Sequence, residues 1–268
     1  MVNNPLDDNP LAHDGKVVLV TGGTKGIGRG IADRYRRAGA TVVVCGRTAP
    51  DGATDADQAP ASGDAPTFMA CDVRESDQVA ALVDGIVTRF GHLDVVVNNA
   101  GGSPWADSAT APARFNEKVI ALNLIAPFTV AQAAYRVMRD QDGGGAIVNI
   151  ASVSGIRPSP GTAAYGAAKA GLLNLTETLA VEWAPTVRVN AVVAGLVVTE
   201  QAHVYYGDDA AMARVAATVP MDRLGTPDDI AGACLYLSSS LATFVTGTVL
   251  AVHGGNQRPS YLDAVHRP

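Results

Sequence analysis

The sequence predicts a single-domain α/β fold, a doubly wound parallel sheet of about seven strands with helices on both faces. Three observations predict it. Short runs that are apolar throughout recur along the chain, as strands buried on both faces require. Segments with helical apolar spacing alternate with them, the order of a parallel sheet with right-handed crossovers. The length, 268 residues, suits one large domain, and neither a repeat nor an interdomain linker interrupts it.

The elements follow in order. Residues 1–14 are polar and read as a flexible tail ahead of a domain spanning 15–256. Residues 16–21 (KVVLVT) form the first strand. A helix over 27–38 follows, with Ile27, Ile31 and Tyr35 at helical spacing and Gly39 ending it. Residues 41–45 (TVVVC) are the second strand. Residues 48–66 are Ala, Asp, Gly, Pro and Thr with no apolar face, a long loop whose composition favours disorder. Strands are predicted over 67–70, 93–98, 146–150, 187–192 and 249–252, and helices over 76–90, 163–184 and 227–239. Residues 112–138 contain a further long helix, with Pro127 as its natural point of interruption. Residues 257–268 read as a C-terminal tail.

Composition narrows the class. The chain is 47% hydrophobic and 17% charged, which is globular and not disordered. The net charge of −6 argues against a nucleic-acid partner. Cys45, Cys71 and Cys234 include no C-x-x-C pair, which fits free thiols in a reducing cytosol. The first 16 residues lack the basic and apolar regions of a secretory signal, and no run of about 18 uncharged apolar residues suggests a membrane span. A cytoplasmic location is therefore expected. His13, His92, His203, His253 and His266 show no ligand spacing, so no metal is expected.

Between the first strand and the first helix lies Thr21-Gly22-Gly23-Thr24-Lys25-Gly26-Ile27-Gly28. A tight glycine turn into a helix N-terminus presents N–H donors and a partial positive charge to a phosphate. In this strand–turn–helix context the motif points to a dinucleotide on a Rossmann-like fold. The second strand ends in Cys45-Gly46-Arg47-Thr48, so Gly46 stands where an NAD-selective fold carries an acid. No carboxylate repels a 2′-phosphate there, and Arg47 and Lys25 supply two cations. NADP(H) is the cofactor expected. Tyr165 and Lys169 are four apart on a helix and share a face, and Ser152 lies just beyond the fifth strand. Carbonyl reduction needs a proton donor for the oxygen, and the reverse needs a base. Tyr165 suits both, with the Lys169 ammonium expected to lower its pKa and Ser152 to stabilise charge on the substrate oxygen.

The spacing T-G-x-x-x-G-x-G, with Asn98-Asn99-Ala100-Gly101, Ser152 and Tyr165-x-x-x-Lys169, resembles the short-chain dehydrogenase/reductase family over about residues 16–256, and its 3-oxoacyl reductase-like branch in particular. The resemblance implies further roles. Asn123 supports a proton relay through the lysine. Lys169 also holds the nicotinamide ribose. Asp72 accepts from the adenine amino group, although a turn-capping role has the same sequence signature, and Val73 lies beside it. Ala100 and Gly101 line the cofactor, and Asn98 steadies the sheet. Gly195, Val197 and Thr199 meet the nicotinamide, with Ala194-Gly195 standing where the family has Pro-Gly. Thr24, Ile27, Thr48 and Asn99 complete the expected cofactor contacts.

The resemblance also makes residues 200–220 a lid over the substrate. Val204, Tyr205, Tyr206 and Met212 there either face an apolar substrate or pack helices, and Trp105 belongs to the same cleft. The neighbours of Ser152 are uncharged until Arg157, which favours a hydrophobic ketone or secondary alcohol. Family members pair long helices and C-terminal segments, which implies a homo-tetramer or dimer. Two rival readings stand beside this one: an epimerase or dehydratase on the same scaffold, and a non-catalytic NADP(H)-binding sensor.

Overall fold

A computed structural model describes residues 9–49, 65–257 and 259. Seven strands form one sheet: β1 (Val17–Thr21), β2 (Thr41–Gly46), β3 (Thr67–Ala70), β4 (Val95–Asn98), β5 (Gly145–Ser152), β6 (Val187–Ala194) and β7 (Val249–Val252). Their spatial order is β3-β2-β1-β4-β5-β6-β7, and every pairing is parallel. The chain leaves β1 toward β2 on one side and later returns to β4 on the other. The carboxyl ends of β1 and β4 therefore flank the switch point, where a doubly wound sheet opens a crevice for ligands.

The apolar runs serve both faces. In β1, Val17 and Leu19 face one core with Leu82 and Ile86 of α2 (Ser76–Phe90), Val130 of α4 (Ala126–Met138) and Leu179 of α5 (Ala163–Trp183). Val18 and Val20 face the other, with Ile31 and Tyr35 of α1 (Gly26–Arg37) and Ile230 and Leu235 of α8 (Pro227–Ser238). Strand alternation thus feeds two cores, which is why these runs show no polar phase. Helix α8 starts on a reciprocal box: Thr226 accepts from Asp229 N–H, and the Asp229 carboxylate accepts from Thr226 N–H, with Pro227 in the first turn.

Several boundaries differ from the sequence expectation. Residues 9–14, read as tail, are packed: His13 is buried, its Nε2 lies 2.9 Å from Ser238 Oγ, and its ring meets Tyr35 edge-on. Residues 50–64 of the expected mobile loop, and most of the expected C-terminal tail, lie outside the described residues. The helix over 112–138 breaks at α3 (Ala113–Ile120), a π-helical turn (Ala121–Ile125) and α4, so the interruption precedes Pro127. Pro127 follows closely on the π turn, so the proline and the change of register fall at one place in the helical ladder. The run Ala113–Met138 is long and apolar enough to cross a membrane by length and composition alone. Its Val119, Ala126, Val130, Ala134 and Met138 are buried within the fold, so it serves as a core helix. The expected lid contains two short helices, α6 (Ala202–Tyr206) and α7 (Asp209–Ala216).

Candidate active site

The turn after β1 is stitched to the turn after β4. Thr21 Oγ1 accepts from Asn99 N and Ala100 N, both at 3.0 Å. Asn99 Nδ2 donates to Thr21 O at 3.0 Å and Gly22 O at 3.2 Å. Gly22 and Gly26 have φ of 63° and 55°, the left-handed region that glycine enters without strain. A Cβ on Gly28 would lie 2.3 Å from Gly22 O, so α1 meets the turn only because residue 28 is glycine. This brings the first N–H groups of α1 to the switch-point crevice, as a pyrophosphate requires. Lys25 is exposed just ahead of α1. Thr24 lies beside Gly46, and Ile27 packs on the α1–α8 core.

Gly46 closes β2 opposite Ala70, and Cys71 N donates to Gly46 O, which sets the 46–48 and 71–74 turns side by side. Arg47 and Thr48 are exposed, and Val73 is buried. Asp72 is committed to a neighbour that sequence reasoning missed. Arg74 donates to it through Nε (2.9 Å), Nη2 and its backbone N–H. That pairing holds the Asp72 carboxyl down at about 2. The spacing Asp-x-Arg was its sequence signal.

The catalytic candidates converge at the carboxyl end of β5. Ser152 is the last residue of that strand, not a residue beyond it. The loop behind it lies tight on α5: a Cβ on Gly155 would sit 2.8 Å from the Lys169 backbone, and one on Gly166 would sit 2.9 Å from Ser154 O. These contacts bring Ser152 to Tyr165, and the serine hydroxyl faces the phenol closely enough to favour its ionised form. Lys169, one turn along α5, lies with Nζ 5.7 Å from the Tyr165 ring centroid. It is buried and donates to Ile150 O at 2.8 Å.

The electrostatics correct one expectation. The ammonium was expected to lower the Tyr165 pKa, yet burial raises it, and the Ser152 hydroxyl offsets only part of that rise. Burial also pulls Lys169 down to about 8. Loss of water around each group sets the direction of its shift. Below about pH 8, Lys169 keeps its charge and Tyr165 its proton. For carbonyl reduction, kcat/KM is expected to be level through neutrality and to fall above about pH 8, as first the ammonium and then the phenol deprotonates. A pH–rate profile that instead rises above pH 8 would contradict this assignment.

Asn123 lies in the π turn, fully buried. Its Nδ2 donates to Gly102 O and Val119 O, and its Oδ1 accepts from Gly102 N, each at 2.9 Å. A Cβ on Gly101 would lie 2.7 Å from Asn123 Oδ1 and 3.4 Å from Lys169 Nζ. Asn123, Gly101 and Lys169 are thus neighbours, and the π turn, which adds a residue to the helical register, accompanies the aiming of the amide. Asn123→Ala would strip Gly102 N–H and Gly102 O of their amide partner. It is expected to cost about 2–3 kcal/mol, read as a lowered denaturation midpoint. Asn98, by contrast, belongs to the sheet: its Nδ2 donates to Asn149 Oδ1 and Pro127 O.

The loop after β6 is anchored without the family proline. Ala194 pairs with Ser152 and Val252, and Gly195 N donates to Val252 O at 3.0 Å. Val197 bridges to Gly225, and its backbone N–H faces the phenol oxygen of Tyr206 in α6. Thr199 Oγ1 accepts from Gln201 N, and the next residue, Glu200, accepts from Gly26 N through Oε2 at 3.0 Å. Sequence reasoning missed Glu200, whose partner is 174 residues away.

A family model described as enoyl-(acyl carrier protein) reductase matches residues 22–257, from the glycine turn past β7. The chain belongs to the short-chain dehydrogenase/reductase family. Members of this family use NAD(H) or NADP(H). An L-rhamnose 1-dehydrogenase (NAD(P)(+)) of Azotobacter vinelandii is 36% identical over 245 residues, 90% of this chain and 96% of the relative. A 3beta-hydroxysteroid dehydrogenase of Eggerthella lenta is 37% identical over 243 residues, 90% of this chain and 93% of the relative. Among solved structures, the ligand-free aldohexose dehydrogenase of Thermoplasma acidophilum superposes with a TM-score of 0.82 at 30% identity, covering 96% of each chain.

Proposed function

We propose that this short-chain dehydrogenase/reductase transfers a hydride between NADP(H) and an apolar carbonyl or secondary alcohol. The observation that carries the reading is the convergence of Ser152, Tyr165 and Lys169 beside the glycine cradle. The cradle residues fit a dinucleotide, because side chains at Gly28 or Gly101 would collide with the walls that a cofactor would follow. When bound, the nicotinamide supplies the hydride. Gly22, Gly26 and Gly28 would hold the pyrophosphate, Arg47 and Lys25 the 2′-phosphate, and Lys169 the ribose.

The chain's own residues manage the proton. In reduction, the Tyr165 phenol donates to the substrate oxygen while Ser152 donates a hydrogen bond to it, stabilising the charge that develops there. The raised pKa of Tyr165 suits this acid role near neutrality. The Lys169 ammonium, with Asn123 beside it, replenishes positive charge behind the phenol.

The relatives' names include two sugars and a steroid, so similarity does not choose a substrate. Exposed apolar side chains do favour one class. Trp105, Ile156, Val198, Val204 and Tyr205 project from four segments at this end of the sheet. The Trp105 indole lies against Gly161, where a Cβ would meet Nε1 at 1.9 Å. Such walls suit a ring or alkyl ketone better than a sugar. The reading includes a cytoplasmic homo-oligomer, for which Val181 of α5 and Phe244 ahead of β7 are exposed.

The test is cofactor consumption over a ketone panel, from small aliphatic ketones to 3-oxoacyl thioesters and steroid ketones, with NADPH and NADH in parallel. Turnover with NADPH on the larger apolar ketones is expected. Turnover chiefly with NADH would overturn the cofactor assignment. Binding of NADPH without turnover of any carbonyl would favour a sensor.

A further inference from the structure

We propose that Glu200 is a latch that holds the lid against the cofactor's phosphate cradle and that cofactor binding must displace. The inference rests on the cradle reading above and adds a residue that sets affinity for the cofactor. Its Oε2 accepts from Gly26 N at 3.0 Å, at the helix N-terminus that the glycine turn presents to the crevice. The contact is long-range and comes from the lid side. Thr199 Cγ2 would lie 3.5 Å, and Glu200 Oε2 3.8 Å, from a Cβ on Gly26. The same segment is turned into the lid by two further bonds: Gln201 N donates to Thr199 Oγ1, and Ala202 N donates to Thr199 O at the start of α6.

A carboxylate and a pyrophosphate need the same donor and repel each other, so they exclude one another at Gly26. Displacing Glu200 frees the segment that carries Thr199 and leads into α6 and α7. Occupation of the cradle is thereby linked to lid position. A closed latch lowers apparent affinity by the fraction of molecules in which the cradle is free. The pyrophosphate is common to NADPH and NADH, so the latch acts on both alike, whereas Arg47 and Lys25 act on the 2′-phosphate alone.

The experiment is fluorescence titration of the full chain and of Glu200→Gln and Glu200→Ala with NADPH and NADH, and competition by adenosine 2′-monophosphate. A latch that leaves the cradle free one-tenth of the time predicts that both variants tighten NADPH and NADH about tenfold, by the same factor. Adenosine 2′-monophosphate, which has no pyrophosphate, is expected to compete equally well in all three proteins. Unchanged or weakened dinucleotide binding in the variants would overturn the latch. So would tighter binding of adenosine 2′-monophosphate by the same factor, which would indicate a general loss of surface charge. Failure of the unmutated chain to bind either dinucleotide would instead overturn the cradle reading.

Discussion

Tyr165→Phe is expected to lower kcat for carbonyl reduction about 10³-fold while leaving the fold and the affinity for NADPH near those of the unmutated chain. The ring keeps its place on α5 and its contact with Lys169, so packing changes little. What disappears is the hydroxyl that faces Ser152 and would protonate the substrate oxygen. Ser152 remains, yet a serine hydroxyl has no proton store behind it, whereas Lys169 stands one turn from the tyrosine. Steady-state kinetics at saturating NADPH, beside a cofactor titration, measure the two effects separately. Retention of kcat within tenfold would move the proton donor elsewhere.

Gly46→Asp is expected to shift the ratio of kcat/KM for NADPH over NADH about 10³-fold toward NADH, because a like charge beside the 2′-phosphate costs several kcal/mol. The site accepts the side chain: the nearest atoms to a Cβ there, on Phe68 and Thr24, lie 3.9 Å away. The new carboxylate would lie at the carboxyl end of β2 beside exposed Arg47, drawing that cation from the phosphate and accepting a ribose hydroxyl in its place. Most of the change should be a loss with NADPH, and a smaller part a gain with NADH. Kinetics with both cofactors on one ketone measure the ratio. An unchanged ratio would mean that Gly46 and Arg47 do not read the 2′-phosphate.

Much of the fold was legible because a parallel sheet covered on both sides writes its strands as plain apolar runs. All seven predicted strands are present, and their order places the switch point at the glycine turn. The predicted ends of β5 and β6 stop two residues short: both strands run on through Ala151-Ser152 and Val193-Ala194, which pair with each other. The π turn at Ala121–Ile125 was not legible, because one extra residue in a helical register leaves the apolar pattern almost unchanged. Spacing identified Tyr165 and Lys169 but not their burial, and burial decides the direction of both pKa values. Glu200 and Arg74 escaped for different reasons. The first acts across the whole chain, and the second was hidden behind the role implied for Asp72.

Direct transfer of label tests the central claim. NADPH carrying deuterium at the reactive carbon of the nicotinamide would be incubated with a ketone that the panel identifies, and the alcohol analysed by mass spectrometry and NMR. One deuterium per turnover is expected, bound to the new carbinol carbon, and its loss when Tyr165 is replaced by Phe. Deuterium released to water, or an alcohol formed without label, would contradict hydride transfer at this site.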